Sequence, residues 1–293
     1  MRHETTLQSK PRLLLDGLVF PEGPRWHDGK LWLADVQARR VLAVRLNGSY
    51  EVIQVFGDDS PSGLGFLPDG TPLVVSQHKR HVMRIDKDGL RLHADLSTIP
   101  GDRLNDMAVD ALGRAYVGNI VPLGNVSEIV PVEQERRDDG LILVNLDGSC
   151  KLVAKPLIGV NGTVITPDQK TLIVAETRAH RLTAFDIEGD GTLSNRRLYA
   201  ETDSGFPDGI ALDVEGAIWL GSPHSFEFLR VRKGGGVTDR IQLPKNTWGV
   251  ACALGGADYR TLFLCIAETT RENRSVSIGR IETVEVAVPG VAA

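Results

Sequence analysis

Cysteine, histidine and aromatic residues are all scarce in this chain of 293 residues, which has 3 cysteines, 7 histidines and 5% aromatics. An odd number of cysteines without paired spacing (Cys150, Cys252, Cys265) argues against a disulfide framework, and free cysteines are expected to be reduced and buried. Long apolar runs are missing too. None approaches the roughly 20 residues that a membrane-spanning helix needs. The opening "MRHETTLQSK" lacks the apolar core of a secretion signal. A cytoplasmic protein is therefore expected, with residues 1–10 as a flexible tail. Positive charge is not in surplus: the net charge is −5, so nothing points to nucleic acid. There is no G-x-S-x-G elbow and no H-E-x-x-H helix, which disfavours an α/β-type serine esterase and a zinc protease.

Glycine is plentiful, at 31 residues beside 15 prolines, and it falls in a repeating plan. Six segments share a polar residue, usually a glycine, a short apolar strand, a polar turn and a second apolar strand. They are "EGPRWHDGKLWLAD", "SGLGFLPDGTPLVVS", "NDMAVDALGRAYVGN", "NGTVITPDQKTLIVAE", "DGIALDVEGAIWLGS" and "WGVACALGGADYRTLFLCIA". Their first residues lie 40, 43, 56, 47 and 40 apart. Each is followed by two further strand-like runs around a hairpin turn. "RVLAVRLNGSYEVIQVF" is the clearest, with Asn47-Gly48 as a two-residue turn, and "SVSIGRIETVEVAV" is the last. Four strands per repeat of about 40 residues predict an all-β fold, a six-bladed β-propeller with four antiparallel strands per blade. Residues 11–293 are read as one such domain, and "PRLLLDGLVF" is expected to add a strand that closes the ring.

In a propeller blade the first strand lies innermost. The six lead residues therefore form a ring at one face of the central channel: Glu22, Ser62, Asn105, Asn161, Asp208 and Trp248. Four of them carry a side-chain carbonyl or carboxylate oxygen. Asn and Asp also make turn hydrogen bonds ahead of strands, but Glu22 is a poor turn former. Convergent hard oxygen donors suit Ca²⁺ first, with Mg²⁺, Mn²⁺ or Zn²⁺ as other divalent occupants.

The pieces "EGPRW…LWLADV", "RLNDMAVDALGRAYVGN", "NGTVITPDQKTLIVAET" and "PDGIALDVEGAIWL", in this order and spacing, resemble the SMP-30/gluconolactonase/LRE family of six-bladed propeller hydrolases. The resemblance runs from about residue 16 to about residue 280. It implies that Glu22, Asn161 and Asp208 hold a divalent metal, with Asn105 beside it, contacting substrate or, as in some relatives, the ion itself. It implies that Arg103 contacts substrate and that Asp208 is also a catalytic base. "NGTVIT" departs from the more usual N-G-L-A-F or N-G-L-A-W, in the strand rather than at the ligand. The implied activity is hydrolysis of a sugar lactone or related small cyclic ester. Organophosphate hydrolysis and metal-dependent lyase or isomerase chemistry use the same kind of site, and a non-catalytic propeller scaffold is the remaining alternative. The expected partner is a small-molecule substrate, with neither nucleic acid nor membrane; oligomeric state stays open.

Chain direction places the links between second and third strands over the same mouth. The longest, residues 119–138, is expected to be a lid. His78, His180 and His224 lie in these links, and His224, in the Asp208 blade, is the preferred substrate contact. Trp248 is positioned either to wall the pocket or to plug the channel as a core aromatic.

Overall fold

Alternating apolar residues and short polar turns build antiparallel hairpins here, and the turns follow one design. Around Asn47-Gly48 the loop has three residues rather than the expected two. Arg45 N–H donates to the Ser49 carbonyl (2.8 Å) and Gly48 N–H to the Arg45 carbonyl (2.9 Å). Gly48 takes a left-handed φ of +83° while Asn47 does not, so the turn that needs two positive φ values is not formed. Asn47 Oδ1 instead accepts the Ser49 N–H at 3.0 Å. The same pattern recurs at the turns ending in Gly70, Gly113, Gly148, Gly191 and Gly216.

The computed structural model of the chain describes residues 9–121, 139–203, 205–270 and 272–291. Of the expected 1–10 tail, residues 1–8 lie outside the described residues, as do residues 122–138 of the expected lid. The first strand is β1 (Arg12–Leu18). Blade 1 is β2 (Pro21–His27), β3 (Lys30–Asp35), β4 (Arg40–Val44) and β5 (Tyr50–Val55). Blade 2 is β6 (Pro61–Phe66), β7 (Pro72–Ser76), β8 (His81–Asp86) and β9 (Gly89–Asp95). Blade 3 is β10 (Arg103–Val109), β11 (Ala115–Ile120), β12 (Asp139–Val144) and β13 (Cys150–Leu157). Blade 4 is β14 (Val160–Ile165), β15 (Thr171–Glu176), β16 (Arg181–Ile187) and β17 (Leu193–Glu201). Blade 5 is β18 (Ile210–Leu212), β19 (Ile218–Ser222), β20 (Glu227–Val231) and β21 (Val237–Gln242). Blade 6 joins β22 (Thr247–Gly255), β23 (Thr261–Glu268) and β24 (Ile278–Glu285) to β1.

The chain is thus a six-bladed β-propeller of four antiparallel strands per blade. "SVSIGRIETVEVAV" was expected to make two strands, but it makes one, β24. The outermost place in that blade is taken by β1, paired antiparallel with β24 (Leu15 opposite Ile281). Joining the two ends of the chain in one sheet closes the ring without leaving an unpaired gap between blades. No helix among the described residues is long and apolar enough to cross a membrane.

Between blades, second-strand residues such as Leu33, Val75, Val117, Ile173, Leu220 and Cys265 are fully buried in the apolar layers. Cys252 and Cys265 are buried free thiols as expected, whereas Cys150 is only half-buried, near the edge of blade 3. Buried carboxylates fix the blade-to-blade links. Asp35 accepts the N–H groups of Val19 and Phe20 (3.0 and 2.9 Å), and Asp139 those of Val121 and Gly159 (2.7 and 2.8 Å). Glu176 accepts from Ile158 N–H (2.9 Å), Thr183 Oγ1, Arg181 and Arg196. Burial pushes the Glu176 carboxyl up, but the hydrogen bonds from Arg181 and Thr183 outweigh it and hold the group below its ordinary range. Because the folded-state value is depressed, the stabilisation is present above the unfolded value near 4.5 and is lost as pH falls through the folded one. Glu176→Gln should cost roughly 1–3 kcal/mol, since both arginines are partly solvated. Acid unfolding curves should show the variant losing less stability than wild type below about pH 4.5.

Candidate active site at the channel mouth

The inner strands pack against one another around the channel and bring the lead residues together. Glu22 lies on β2, Ser62 on β6, Asn105 on β10, Asn161 on β14, Asp208 just ahead of β18 and Trp248 on β22. Hydrogen bonds tie them from blade to blade. Ser62 Oγ donates to the Asn105 carbonyl (2.8 Å), and Asn105 Nδ2 to the Val160 carbonyl (3.2 Å). Asn161 Nδ2 donates to Thr177 Oγ1 (3.4 Å), which donates to the Pro207 carbonyl (2.7 Å). Gly162 N–H reaches the Asp208 carbonyl, and Gly209 N–H the Val250 carbonyl, both at 3.0 Å.

Glycine after the lead residue is what lets these strands approach. A Cβ on Gly162 would stand 2.5 Å from the Asp208 carbonyl oxygen, and one on Gly63 would stand 2.6 Å from the Met107 nitrogen. Blade 3 alone among the six has a carboxylate there. Asp106 receives Arg25 from blade 1 at 2.8 Å and the Thr163 N–H from blade 4 at 3.2 Å. Arg25 also donates to the Met107 carbonyl, so one ion pair knits three blades.

Two carboxylates at the mouth are held at a cost. Asp208 is 8% exposed, and its Oδ1 is buried with no hydrogen-bond partner among the described residues. Burial pushes Asp208 up to about 7, against the charge of Arg274 and a hydrogen bond from Asn161, with Asp106 adding to the rise. Glu22 keeps a small opening through the mouth and is otherwise surrounded by protein. Burial first, then the charges of Asp208 and Asp106, hold Glu22 well above the ordinary carboxylate range. A buried, unpartnered carboxylate oxygen facing a second acid is a costly arrangement that a hard cation relieves. Among the described residues no three His, Cys, Asp or Glu side chains form a ready ligand group. A cation taken up here would meet two carboxylates, with the amides of Asn161 and Asn105 as the further oxygen donors at hand. Oxygen-only donors of this kind fit a divalent cation of the Ca²⁺ type.

An aromatic arc lines one side. His180 and Phe206 are 4.4 Å apart between ring centroids, Phe206 and His224 5.0 Å, and His224 and Trp248 5.2 Å. Trp248 meets Phe20 edge-on at 6.3 Å, and the Arg274 guanidinium lies over Phe20 (4.5 Å) and Trp248 (5.7 Å).

Residues 20–268 match the family described as SMP-30/gluconolactonase/LRE-like region. The chain belongs to that family. A 6-deoxy-6-sulfogluconolactonase from Pseudomonas putida is 29% identical over 94% of each chain. Among solved structures, a luciferin-regenerating enzyme superposes with a TM-score of 0.79 at 19% identity, covering 97% of this chain and 98% of its own. The calcium-binding protein regucalcin from Agrobacterium tumefaciens gives 0.74 at 20% identity, covering 99% and 96%.

Within this SMP-30/gluconolactonase-type propeller, the residues named from sequence do not all stand alike. Glu22, Asn161 and Asp208 share one electrostatic neighbourhood. Asn105 spends one of its two amide N–H donors on the Val160 carbonyl of blade 4, a bond that engages neither the second N–H nor its Oδ1. Arg103 opens β10 two residues before Asn105, with its side chain 42% exposed and 4.0 Å from Asp102. Trp248 is only 7% exposed, packed with Phe20, Ala34 and Val250, so most of its indole fills the seam between blades 6 and 1. His78 donates its backbone N–H to Asp59, and His180 is fixed to the Gly205 carbonyl at 3.0 Å. Asp106, Arg25 and Arg274 also stand at or beside this site without being lead residues of a repeat. Asp106 carried a readable signal, an acid in the register where the other repeats have glycine.

Proposed function

We propose that this chain is a divalent-metal-dependent lactonase that opens a sugar lactone or related small cyclic ester at the channel mouth. The observation that carries the reading is the buried, unpartnered Asp208 Oδ1 in the field of a second buried acid, Glu22, a pair whose charge a bound cation would compensate. Glu22, Asn161 and Asp208 hold the ion, with Asn105 adjacent. When bound, the ion supplies Lewis acidity that polarises the lactone carbonyl and stabilises the developing negative charge. Family membership and the sulfogluconolactonase relative support the reaction class; a regucalcin neighbour described as calcium-binding supports the choice of ion.

The protein's own residues handle orientation and protons. Asn105 and Arg103 hydrogen-bond the ring oxygens and hold the carbonyl toward the carboxylate pair. Water attacks the carbonyl carbon, the bond from that carbon to the ring oxygen breaks, and the proton lost by water ends on the departing alcohol. Asp208, or His224 from the same blade, mediates that transfer. Asp208 is the weaker base once a cation lowers its proton affinity. The product is one open chain bearing a hydroxyl and a carboxylic acid, which releases its proton to solvent as it becomes the carboxylate.

Proton release from a lactone panel tests this. Hydrolysis should stop when the protein is stripped with EDTA and return with added Ca²⁺. Turnover that survives stripping sinks the metal assignment. A loaded protein that leaves every lactone intact moves phosphoester or lyase chemistry to the front.

A further inference from the structure

Arg274 stands out by what surrounds it. Other arginines near the blade seams are spent on carboxylates: Arg25 on Asp106, Arg181 and Arg196 on Glu176, Arg230 on Asp213. The Arg274 guanidinium makes neither an ion pair nor a hydrogen bond among the described residues; its contacts are the faces of Phe20 and Trp248. It is exposed, in the short turn Arg274–Val276 that overhangs the mouth between β23 and β24. Its charge is felt by both Glu22 and Asp208, which places it beside the site rather than out on the rim.

We infer that Arg274 is a specificity residue that binds an oxyanionic substituent (carboxylate, phosphate or sulfonate) carried by the lactone away from its reacting carbonyl. This rests on the lactonase reading above. Once a divalent cation compensates Glu22 and Asp208, the positive charge of Arg274 is surplus and is answered by no ion pair among the described residues. A planar guanidinium lying on aromatic rings keeps its N–H donors at its edge, where they match the paired oxygens of an oxyanion. Stacking also limits the freedom that binding must remove. Phe20 lies two residues before Glu22, and Trp248 is itself a lead residue. The chain that positions the cation site therefore also positions the seat of Arg274.

The test compares gluconolactone with its terminal phosphate ester, in wild type, Arg274→Gln and Arg274→Lys. Wild type should favour the phosphate ester in kcat/KM by at least ~10-fold, with the preference shrinking as salt rises. Arg274→Gln should collapse the ratio to about 1, and Arg274→Lys should keep part of it, because a lysine retains charge without the fork. Calorimetric binding of the open-chain acids, gluconate against its terminal phosphate ester, gives a readout that needs no turnover. The phosphorylated acid should bind more tightly to wild type and lose that advantage in Arg274→Gln. Equal handling of both lactones by wild type, or a Gln variant that weakens both equally, overturns the inference. If wild type hydrolyses no lactone, the lactonase reading fails separately. The calorimetric arm then decides the anion site: Arg274-dependent binding sustains it, and its absence overturns it.

Discussion

Asp208→Ala should lower lactone turnover by roughly 10³-fold or more while leaving the propeller folded. The loss follows from where the carboxylate sits. Its Oδ1 is buried and unpartnered, and no other described acid besides Glu22 and Asp106 is felt at that point. Asp106 is already committed to Arg25 and Thr163, so it cannot substitute. Stability should move the other way. In the metal-stripped protein Asp208 is pushed up to about 7, above its ordinary 3.8. A carboxyl whose folded-state value is raised stabilises fully below the unfolded value and loses that contribution as pH rises through the folded one. Stripped wild type should therefore weaken between about pH 4 and pH 8, by on the order of a few kcal/mol. Asp208→Asn, which keeps the shape and removes the charge, should lose Asp208's share of that slope and keep only the part due to Glu22, itself held above its ordinary range chiefly by burial. Thermal melts across pH with EDTA present check it. A variant that is both inactive and less stable than stripped wild type at pH 8 would mean that the carboxylate is structural.

Gly162→Ala should cost roughly 2–4 kcal/mol and weaken metal binding at least ~10-fold, although a single methyl is added to a residue that is not itself a ligand. The methyl would meet the Asp208 carbonyl oxygen at 2.5 Å and the Ile210 nitrogen at 2.7 Å. Both are backbone atoms of the neighbouring blade and cannot rotate away. Relief requires blades 4 and 5 to part, which breaks the 3.0 Å hydrogen bond from Gly162 N–H to Asp208 and separates Asn161 from Asp208. At about 2–4 °C per kcal/mol for a chain of this size or somewhat smaller, the melting temperature should fall by roughly 5–15 °C. A calcium titration of the surviving folded protein measures the second effect. An alanine variant with wild-type melting and wild-type affinity would show that the ring tolerates slack at this seam.

Much of this site is legible along the chain because a propeller turns sequence period into spatial register. Glu22, Asn161 and Asp208 each precede a glycine at the start of a repeat, and the fold brings those starts to one end of one channel. Arg274 has no such address. It follows the second strand of its blade in an irregular turn, and its relation to Phe20 and Trp248 exists only once β1 has closed the ring. The arc from His180 through Phe206 and His224 to Trp248 is equally a product of packing between separate blades. In the final blade the closing strand is legible in "PRLLLDGLVF", which becomes β1, but "SVSIGRIETVEVAV" supplies one strand rather than two because β1 already takes the outermost place. The hairpin at Asn47-Gly48 has a loop one residue longer than the N-G pair predicts, because Asn47 uses its side chain on Ser49 instead of adopting a positive φ.

The most direct measurement is a calorimetric titration of metal-stripped protein with Ca²⁺, run on wild type, Glu22→Gln and Asp208→Asn. If these acids exist to hold a cation, wild type binds one ion per chain and each variant loses at least ~100-fold in affinity. Absence of binding by wild type, or the same affinity in all three proteins, would contradict the cation site at its root.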